Sequence, residues 1–528
     1  MRYTKASQLW NRIVSRLAYP FREDLLFFLL VWLMLAVPEC AVQVAKGNWL
    51  YSLLFFLLYF GVTYVILLIV DFAKWTRATL KPVFFIFLAI LTGVNLFCLK
   101  TYHTRLNYDI IEIIAATNPG EVREYFRMYI GWKEYGIIFL YFLVCVGAYI
   151  ACIKFKVKRY KLSWTVVGVL LIMSIASYWI NPAVSDSLEN WTFSYDDIAD
   201  ISKYPTHPQL AETDSIHPLN VVLIIGESFA PSHSSLYGYS KHTNPWLEAL
   251  RDSGRLAVFS RVVSPATSTS AAFKLILNTL KKGEEKEKKW YESTSLLEVL
   301  NTAGYSTHWL SNQAELGLYN NLSSSQSKLC DHAVFIREYW DQSLYDGQLI
   351  EETPRNLQGK NAFVYHLIGQ HPYFAERYPA DFERFKPEDY PEIKGKPEKL
   401  SNIAAYDNAT LYNDYVVSEI IRLFSGEDAV VFYFSDHGFD VYESDPDYCS
   451  HAKSEPASQT VGVKIPFMVY MSPEFEKNHP STAERIINSV GKPYSTDLLI
   501  YSVMDAAGYR FGDSDDVETL SLFKGPGQ

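Results

Sequence analysis

The stretch FYFSDHG, residues 432–438, ends an apolar run on a carboxylate and an imidazole side by side, Asp436 and His437. Other apolar runs end on groups of the same kind. NVVLIIGES (220–228) reaches Glu227, NAFVYHLIG (361–369) carries His366 and leads to His371, and STHWLSN (306–312) stops at Asn312. Another histidine, His451, follows Asp436-His437 across a polar loop. Each has a plain structural reading when taken singly. Glu227 can neighbour a helix N-cap, Asp436-His437 can be a capping pair, and a strand-end histidine is commonly a hydrogen-bonded core residue. Taken together, two carboxylates and an imidazole at strand ends suit a divalent ion. Zn2+ fits that mixture best, and Mn2+ or Mg2+ stay open on ligand type alone.

A metal needs a group to act on. SPATSTSAAFKLILNTL (264–280) opens on hydroxyls and turns into an apolar helical pattern. Hydroxyls at a helix N-terminus lie where free N–H groups favour phosphate. A hydroxyl beside Zn2+ has a lowered pKa and becomes a usable nucleophile. The bland alternative is that Thr267 to Ser270 only cap the helix.

Such groups must be positioned by regular elements. From residue 219 on, strand-like runs at 220–228, 306–312, 361–369, 429–438 and 464–472 alternate with helical patterns at 244–253, 270–280, 293–303, 404–424 and 495–507. Continuous apolar strands between helices predict an α/β domain, 219–528, with a mostly parallel sheet covered on both faces. Ligands gather at the carboxyl ends of such strands, which is where Glu227, His371 and Asp436-His437 fall.

The first 182 residues read differently. Segments 24–44, 49–71, 80–99, 133–154 and 161–181 are each apolar over about the 20 residues that a membrane-spanning helix needs. Arg2, Lys5, Arg12, Arg16 and Arg22 precede the first; Lys74, Arg77 and Lys81 lie between the second and third; Lys154, Lys156, Lys158, Arg159 and Lys161 lie between the fourth and fifth. Basic residues stay on the cytoplasmic side. The N-terminus is therefore expected in the cytoplasm and everything past 182 outside, which in a Gram-negative cell is the periplasm. No cleaved signal peptide is expected. Residues 100–132 read as amphipathic helices on the outer membrane face, and 183–218 as a linker. The net charge of −10 argues against nucleic acid, whose binders need a basic stripe. Cys330 and Cys449, in the exported part, could form one disulfide.

These motifs in combination resemble the phosphoethanolamine transferases of Gram-negative inner membranes, the lipid A-modifying and mobile colistin-resistance group of the alkaline phosphatase/sulfatase superfamily. IIGESFAPSHSSLYGY is similar to the family's first-strand motif, PATSTSA to its nucleophile segment, YHLIGQHPYFAERYP to its histidine motif, YDNATLYNDYVVSEI to the helix that follows, and FSDHG to its metal motif. The resemblance implies Glu227, Thr269, Asp436 and His437 as zinc ligands at one tight site, with a second ion possible in the family. It makes Thr269 the nucleophile. His366, His371, His451 and Asn312 would bind substrate, and in ATNPGEVREYF Thr117 and Glu121 would meet the donor lipid. The implied reaction moves phosphoethanolamine from phosphatidylethanolamine through a phospho-threonine to lipid A, core sugar or another envelope glycan. The enzyme would be a membrane-embedded monomer, and the product would attract cationic peptides less. Pro265 stands where the family often has cysteine, Ile113 where it often has asparagine, and exported cysteines are few. These departures leave the acceptor open. A phosphoglycerol transferase of the lipoteichoic-acid-synthase type shares the architecture. Sulfatase chemistry needs a Cys/Ser-x-Pro-x-Arg segment, which VSPATSTS lacks. A membrane-anchored binding or sensor protein would require all the site residues to be structural.

Overall fold

The computed structural model describes residues 17–155 except 46, 72–73 and most of 103–129; residues 168–170 and 172; and residues 201–524 except 215, 286, 314–321, 338–343, 356, 395–396, 447, 452–455 and 513. The chain divides into two compact units, one holding the apolar N-terminal helices and the other the described residues from 201 on.

In the first unit, α1 (Leu25–Ala45), α2 (Trp49–Val70), α3 (Lys74–Tyr102) and α4 (Trp132–Lys154) are long and apolar enough to cross a bilayer. Most of the expected span at 161–181 and most of the expected amphipathic segment at 100–132 lie outside the described residues. Phe27, Phe28 and Val31 of α1 pack with Tyr64 and Leu67 of α2 and with Phe85 and Leu88 of α3. The outer faces are apolar too, as Leu57, Phe87, Phe139 and Val144 show. A helix apolar all round belongs in lipid rather than water. Pro38 does not end α1. At that level α1 and α2 exchange side-chain bonds, Cys40 Sγ to the Ser52 carbonyl (3.3 Å) and Ser52 Oγ to the Cys40 carbonyl (3.2 Å). Two buried or half-buried acids in this unit are paired, Asp24 with Lys81 and Glu39 with Arg105 at 2.7 Å.

The second unit is built on seven strands: β1 (Asn220–Gly226), β2 (Leu256–Phe259), β3 (Ser306–Ser311), β4 (His332–Phe335), β5 (Asn361–His366), β6 (Ala429–Ser435) and β7 (Phe467–Met471). Their spatial order is β2-β7-β6-β1-β5-β3-β4. The five strands from β6 to β4 are parallel, and β7 runs antiparallel to both β6 and β2. The expected mostly parallel sheet is therefore present, with β7 reversed. β2 and β4 escaped the sequence reading because they are four residues long and show neither a long apolar run nor clear alternation.

Val221, Leu223 and Ile225 of β1 face one core layer, and Val222 and Ile224 face the other. Helices α6 (Leu296–Thr302) and α8 (Leu499–Ala507) cover the first layer. α7 (Pro397–Leu423) covers the second with Val416, Val417, Ile420 and Ile421. Burial on both faces is why β1 and β6 read as unbroken apolar, β-branched and aromatic runs. The helical pattern at 270–280 is realised only as α5 (Thr269–Phe273); the chain then turns, and Asn278 bridges to Ser295. Part of the expected linker joins the domain, because Leu210–Glu212 pairs antiparallel with Tyr509–Phe511. No disulfide joins Cys330 and Cys449, which pack in different clusters.

β6 hands over to its loop through Gly438. A Cβ there would meet the Lys464 carbonyl oxygen at 2.3 Å and that of Val461 at 2.7 Å, whereas one at Gly426 would meet nothing within 4 Å. Gly438→Ala is expected to destabilise the metal-free protein by roughly 1–3 kcal/mol, as overpacking against backbone does. Gly426→Ala is expected to be neutral or slightly stabilising. Thermal unfolding of both variants checks the pair, and equal melting temperatures would contradict it.

Candidate active site

The register of β1 and β6 sets Gly226 opposite Ser435, so the next residues, Glu227 and Asp436, emerge together. The Asp436 amide donates to the Gly226 carbonyl at 3.0 Å and locks that step. Glu227, Asp436 and His437 each bring one ligand atom to within 4.8 Å of the others. All three are buried, at 2%, 0% and 0% exposure. His437 Nε2 lies 3.3 Å from Glu227 Oε1 and 3.6 Å from Asp436 Oδ2. Its Nδ1 faces the Gly438 carbonyl at 2.7 Å. The proton therefore belongs on Nδ1, and Nε2 is left to bind a cation. Asp436 Oδ1 accepts from the His437 amide (2.7 Å) and the Ser228 amide (3.3 Å), while Oδ2 has no hydrogen-bond partner among the described residues. Ser228 Oγ (2.6 Å) and Gln313 Nε2 (3.3 Å) donate to Glu227.

Thr269 stands over this cluster at the first position of α5, with Oγ1 3.1 Å from Glu227 Oε2 and 3.3 Å from His437 Nε2. It is only half-buried, whereas Glu227, Asp436 and His437 beneath it are fully buried. α5 is one short turn. The expected phosphate-binding helix dipole is therefore weak, and the position of Thr269 comes from its contacts instead.

The other expected residues are placed as follows. His366, at the end of β5, is buried against Phe273 and Trp309, with Nδ1 3.3 Å from Ser311 Oγ; burial lowers its pKa to about 4, against the pull of Glu227. His371 follows on the same loop, and its buried Nδ1 has no hydrogen-bond partner among the described residues. The ring of His451 lies 4.4 Å from that of His437, and its Nδ1 faces the Thr267 carbonyl at 2.7 Å. Burial and the His437 charge push its pKa down to about 3. Asn312 is buried and committed elsewhere, its Nδ2 donating to Asp346 Oδ1 at 2.9 Å. Asp346 in turn accepts from the amides of Ile368 and Gly369. Gly369 has φ 47°, and a Cβ there would meet the Glu227 amide nitrogen at 2.8 Å, so Asn312 supports the turn that lies against Glu227. Its neighbour Gln313, which the sequence did not single out, is the one that reaches Glu227. Thr117 and Glu121 lie outside the described residues.

The cluster fits a divalent ion. It offers two carboxylates, the Nε2 of an imidazole and a hydroxyl, and one buried carboxylate oxygen, Asp436 Oδ2, has no hydrogen-bond partner among the described residues. Its protons tell the same story. Burial, and then the Glu227 charge, raise Asp436 to about 7. On His437 burial is outweighed by Asp436 and Glu227, which push it up to about 9. On Glu227 burial is outweighed by His437, and its pKa falls well below the ordinary value. An entering cation must displace the protons that Asp436 and His437 hold. Binding is expected to release about two protons per ion at pH 6 and about one at pH 8. Affinity should therefore climb with pH, more steeply below 7 than above it. Calorimetry in buffers of different ionisation enthalpy reads the count, and binding without proton release would contradict it.

The sulfatase family model matches residues 219–509. Among curated proteins the chain is similar to the phosphoethanolamine transferase EptC of Escherichia coli O18:K1:H7 (strain RS218 / NMEC), 28% identical over 461 residues and covering 79% of this chain and 78% of that one. It is also similar to the phosphoethanolamine transferase CptA of Salmonella typhimurium (strain LT2), 25% identical over 80% of this chain and 78% of that one. Among solved structures it matches the C-terminal periplasmic domain of EcEptC from Escherichia coli in complex with Zn, at TM-score 0.55 and 28% identity, over 61% of this chain and 90% of that one. Full-length EptA of Neisseria meningitidis, an integral membrane protein, matches in fold at TM-score 0.65 and 18% identity, over 95% of this chain and 98% of that one. The sulfatase name describes the scaffold, since the Cys/Ser-x-Pro-x-Arg segment is absent. Because the family model spans more than half of the chain and takes in Glu227, Thr269, His371, Asp436, His437 and His451, the chain belongs to the sulfatase family, within the alkaline phosphatase/sulfatase superfamily.

Proposed function

We propose that this protein transfers phosphoethanolamine from phosphatidylethanolamine to lipid A or the lipopolysaccharide core through a covalent intermediate on Thr269. The observation that carries the reading is the half-buried Thr269, its hydroxyl 3.1 Å from Glu227 and 3.3 Å from His437, above a buried cluster of candidate cation ligands. The similarity to EptC and CptA supports the group transferred, and the zinc complex of the EptC domain supports the metal. Glu227, Asp436, His437 and Thr269 would hold a zinc ion, which when bound would supply Lewis acidity that lowers the hydroxyl pKa and offsets charge on the transferring oxygens. Thr269 Oγ1 attacks the donor phosphorus. The Oγ1–P bond forms, the P–O bond to diacylglycerol breaks, and the diacylglycerol takes up a proton and remains in the bilayer. An acceptor oxygen then attacks the same phosphorus and frees Thr269.

His371 and His451 flank this exchange. With Nδ1–H directed to the Thr267 carbonyl, His451 offers a lone pair on Nε2. That suits a proton acceptor or a cation ligand better than a donor to phosphate. Thr117 and Glu121 are assigned to the donor lipid. The catalytic unit is placed in the periplasm of a Gram-negative cell and the N-terminus in the cytoplasm. A membrane-tethered site keeps a lipid donor from having to leave its bilayer. Adding an ammonium group to an anionic glycolipid weakens its attraction for cationic peptides such as polymyxin.

The test is mass spectrometry of envelope glycolipids from a Gram-negative host expressing the protein. Wild type is expected to add a phosphoethanolamine-sized increment. Thr269→Ala should lower the yield by roughly a thousand-fold or more, as loss of a nucleophile does. In purified membranes a chelator should abolish transfer and zinc restore it. A glycerophosphate-sized increment would move the protein to the phosphoglycerol transferases, and transfer that survives Thr269→Ala would overturn the mechanism.

A further inference from the structure

Glu227 leaves β1 through a turn that its own backbone resists. Ser228, the next residue, has φ 55° and is fully buried. Side chains other than glycine rarely adopt this conformation unless the surroundings hold them there. Two side chains outside the cluster do so: Ser435 Oγ accepts from the Phe229 amide at 3.1 Å, and Tyr406 spans the turn. The Tyr406 hydroxyl, on α7, donates to the Ser228 carbonyl at 2.7 Å and accepts from the Ala230 amide at 2.7 Å. Both ends of the turn thus close on one oxygen. Burial raises this phenol well above its ordinary pKa, so it remains a donor.

The ring makes three further contacts, one of them with His233, edge-on at 5.2 Å between centroids. Phe374, on the loop that carries His371, meets it edge-on at 4.9 Å between centroids. Phe439, two residues past His437, lies nearly parallel to it at 6.2 Å. The three loops leaving β1, β5 and β6 bring Glu227, His371 and Asp436-His437 to the site, and a single buried tyrosine touches all three.

We propose that Tyr406 is a positioning residue: it clamps the left-handed turn at Ser228 and so aims Glu227 at the cation. This rests on the metal-dependent transferase reading, and it gives a task to the YDNATLYND stretch of α7. Tyr406 touches no reacting atom. A tyrosine that served only to fill the core would act through its ring, which phenylalanine keeps.

The experiment uses the full-length protein in detergent micelles, stripped of metal. In Tyr406→Phe, zinc affinity is expected to fall about 10–100-fold, the usual effect of losing an outer partner of a ligand. The absorption spectrum of the Co2+-loaded site should shift. Peptides covering 227–231 should exchange amide hydrogens faster in the metal-free protein. Rescue separates the clamp from simple packing. Glycine adopts the left-handed turn without strain, so Tyr406→Phe should cost much less affinity in a Ser228→Gly background than beside Ser228. Equal losses in both backgrounds, or unchanged affinity with unchanged exchange, would overturn the proposal. Should Tyr406→Phe fail to fold, wild type still decides: the Ala230 amide must be protected like those of β1, and fast exchange there refutes the clamp. If wild type binds no zinc, the metal reading fails by itself, while the exchange comparison still judges the clamp.

Discussion

Two carboxylates, Glu227 and Asp436, are held side by side where water scarcely reaches, and their repulsion requires a positive charge between them. Without a metal, His437 supplies part of that charge, and Asp436 keeps a proton below about pH 7. With a divalent ion the same groups become ligands. Much of the second unit serves this crowding. The Gly226–Ser435 register brings the two acids together, and the close approach of Gly369 to Glu227 and of Gly438 to the Lys464 carbonyl leaves their loops little freedom. The site can be that tight because it stands on five parallel strands with both faces buried.

Thr269 is the exception. It reaches the cluster from a five-residue helix and is the least buried of the four groups. In the proposed reaction Thr269 is the nucleophile, which substrate has to reach, while charged ligands gain from exclusion of water, because electrostatic interactions strengthen as the local dielectric falls. The same division runs through the chain. The first unit is apolar on its outer faces, as lipid demands, and under the proposed reaction a donor that stays in the bilayer would give those helices a purpose beyond anchoring.

The parts of this architecture that obey strong local rules were legible in the sequence. Four spans could be read because a membrane helix must be apolar on every side. β1, β3, β5 and β6 could be read because strands buried on both faces are continuous apolar runs. Glu227, Asp436 and His437 could be read because they end such runs, and Thr269 because the resemblance pointed to it. What could not be read depends on contacts distant in sequence. The helix at 270–280 breaks after Phe273, where the pairing of Asn278 with Ser295 overrides helical periodicity. Asn312 and Gln313 are adjacent, yet only the fold decides that Gln313 reaches Glu227 while Asn312 turns to Asp346. Tyr406 stands 176 positions from the Ala230 amide it holds; the resemblance marked its stretch of sequence, but nothing local shows that contact.

The central claim is that Thr269 carries the transferred group. Intact-mass analysis of the zinc-loaded, full-length protein, incubated with phosphatidylethanolamine and no acceptor, tests it most directly. The account predicts one phosphoethanolamine adduct per chain, mapped by fragmentation to Thr269 and lost when a lipid A acceptor is added. An adduct on another residue, or an unmodified protein that nevertheless transfers phosphoethanolamine once acceptor is supplied, would contradict it.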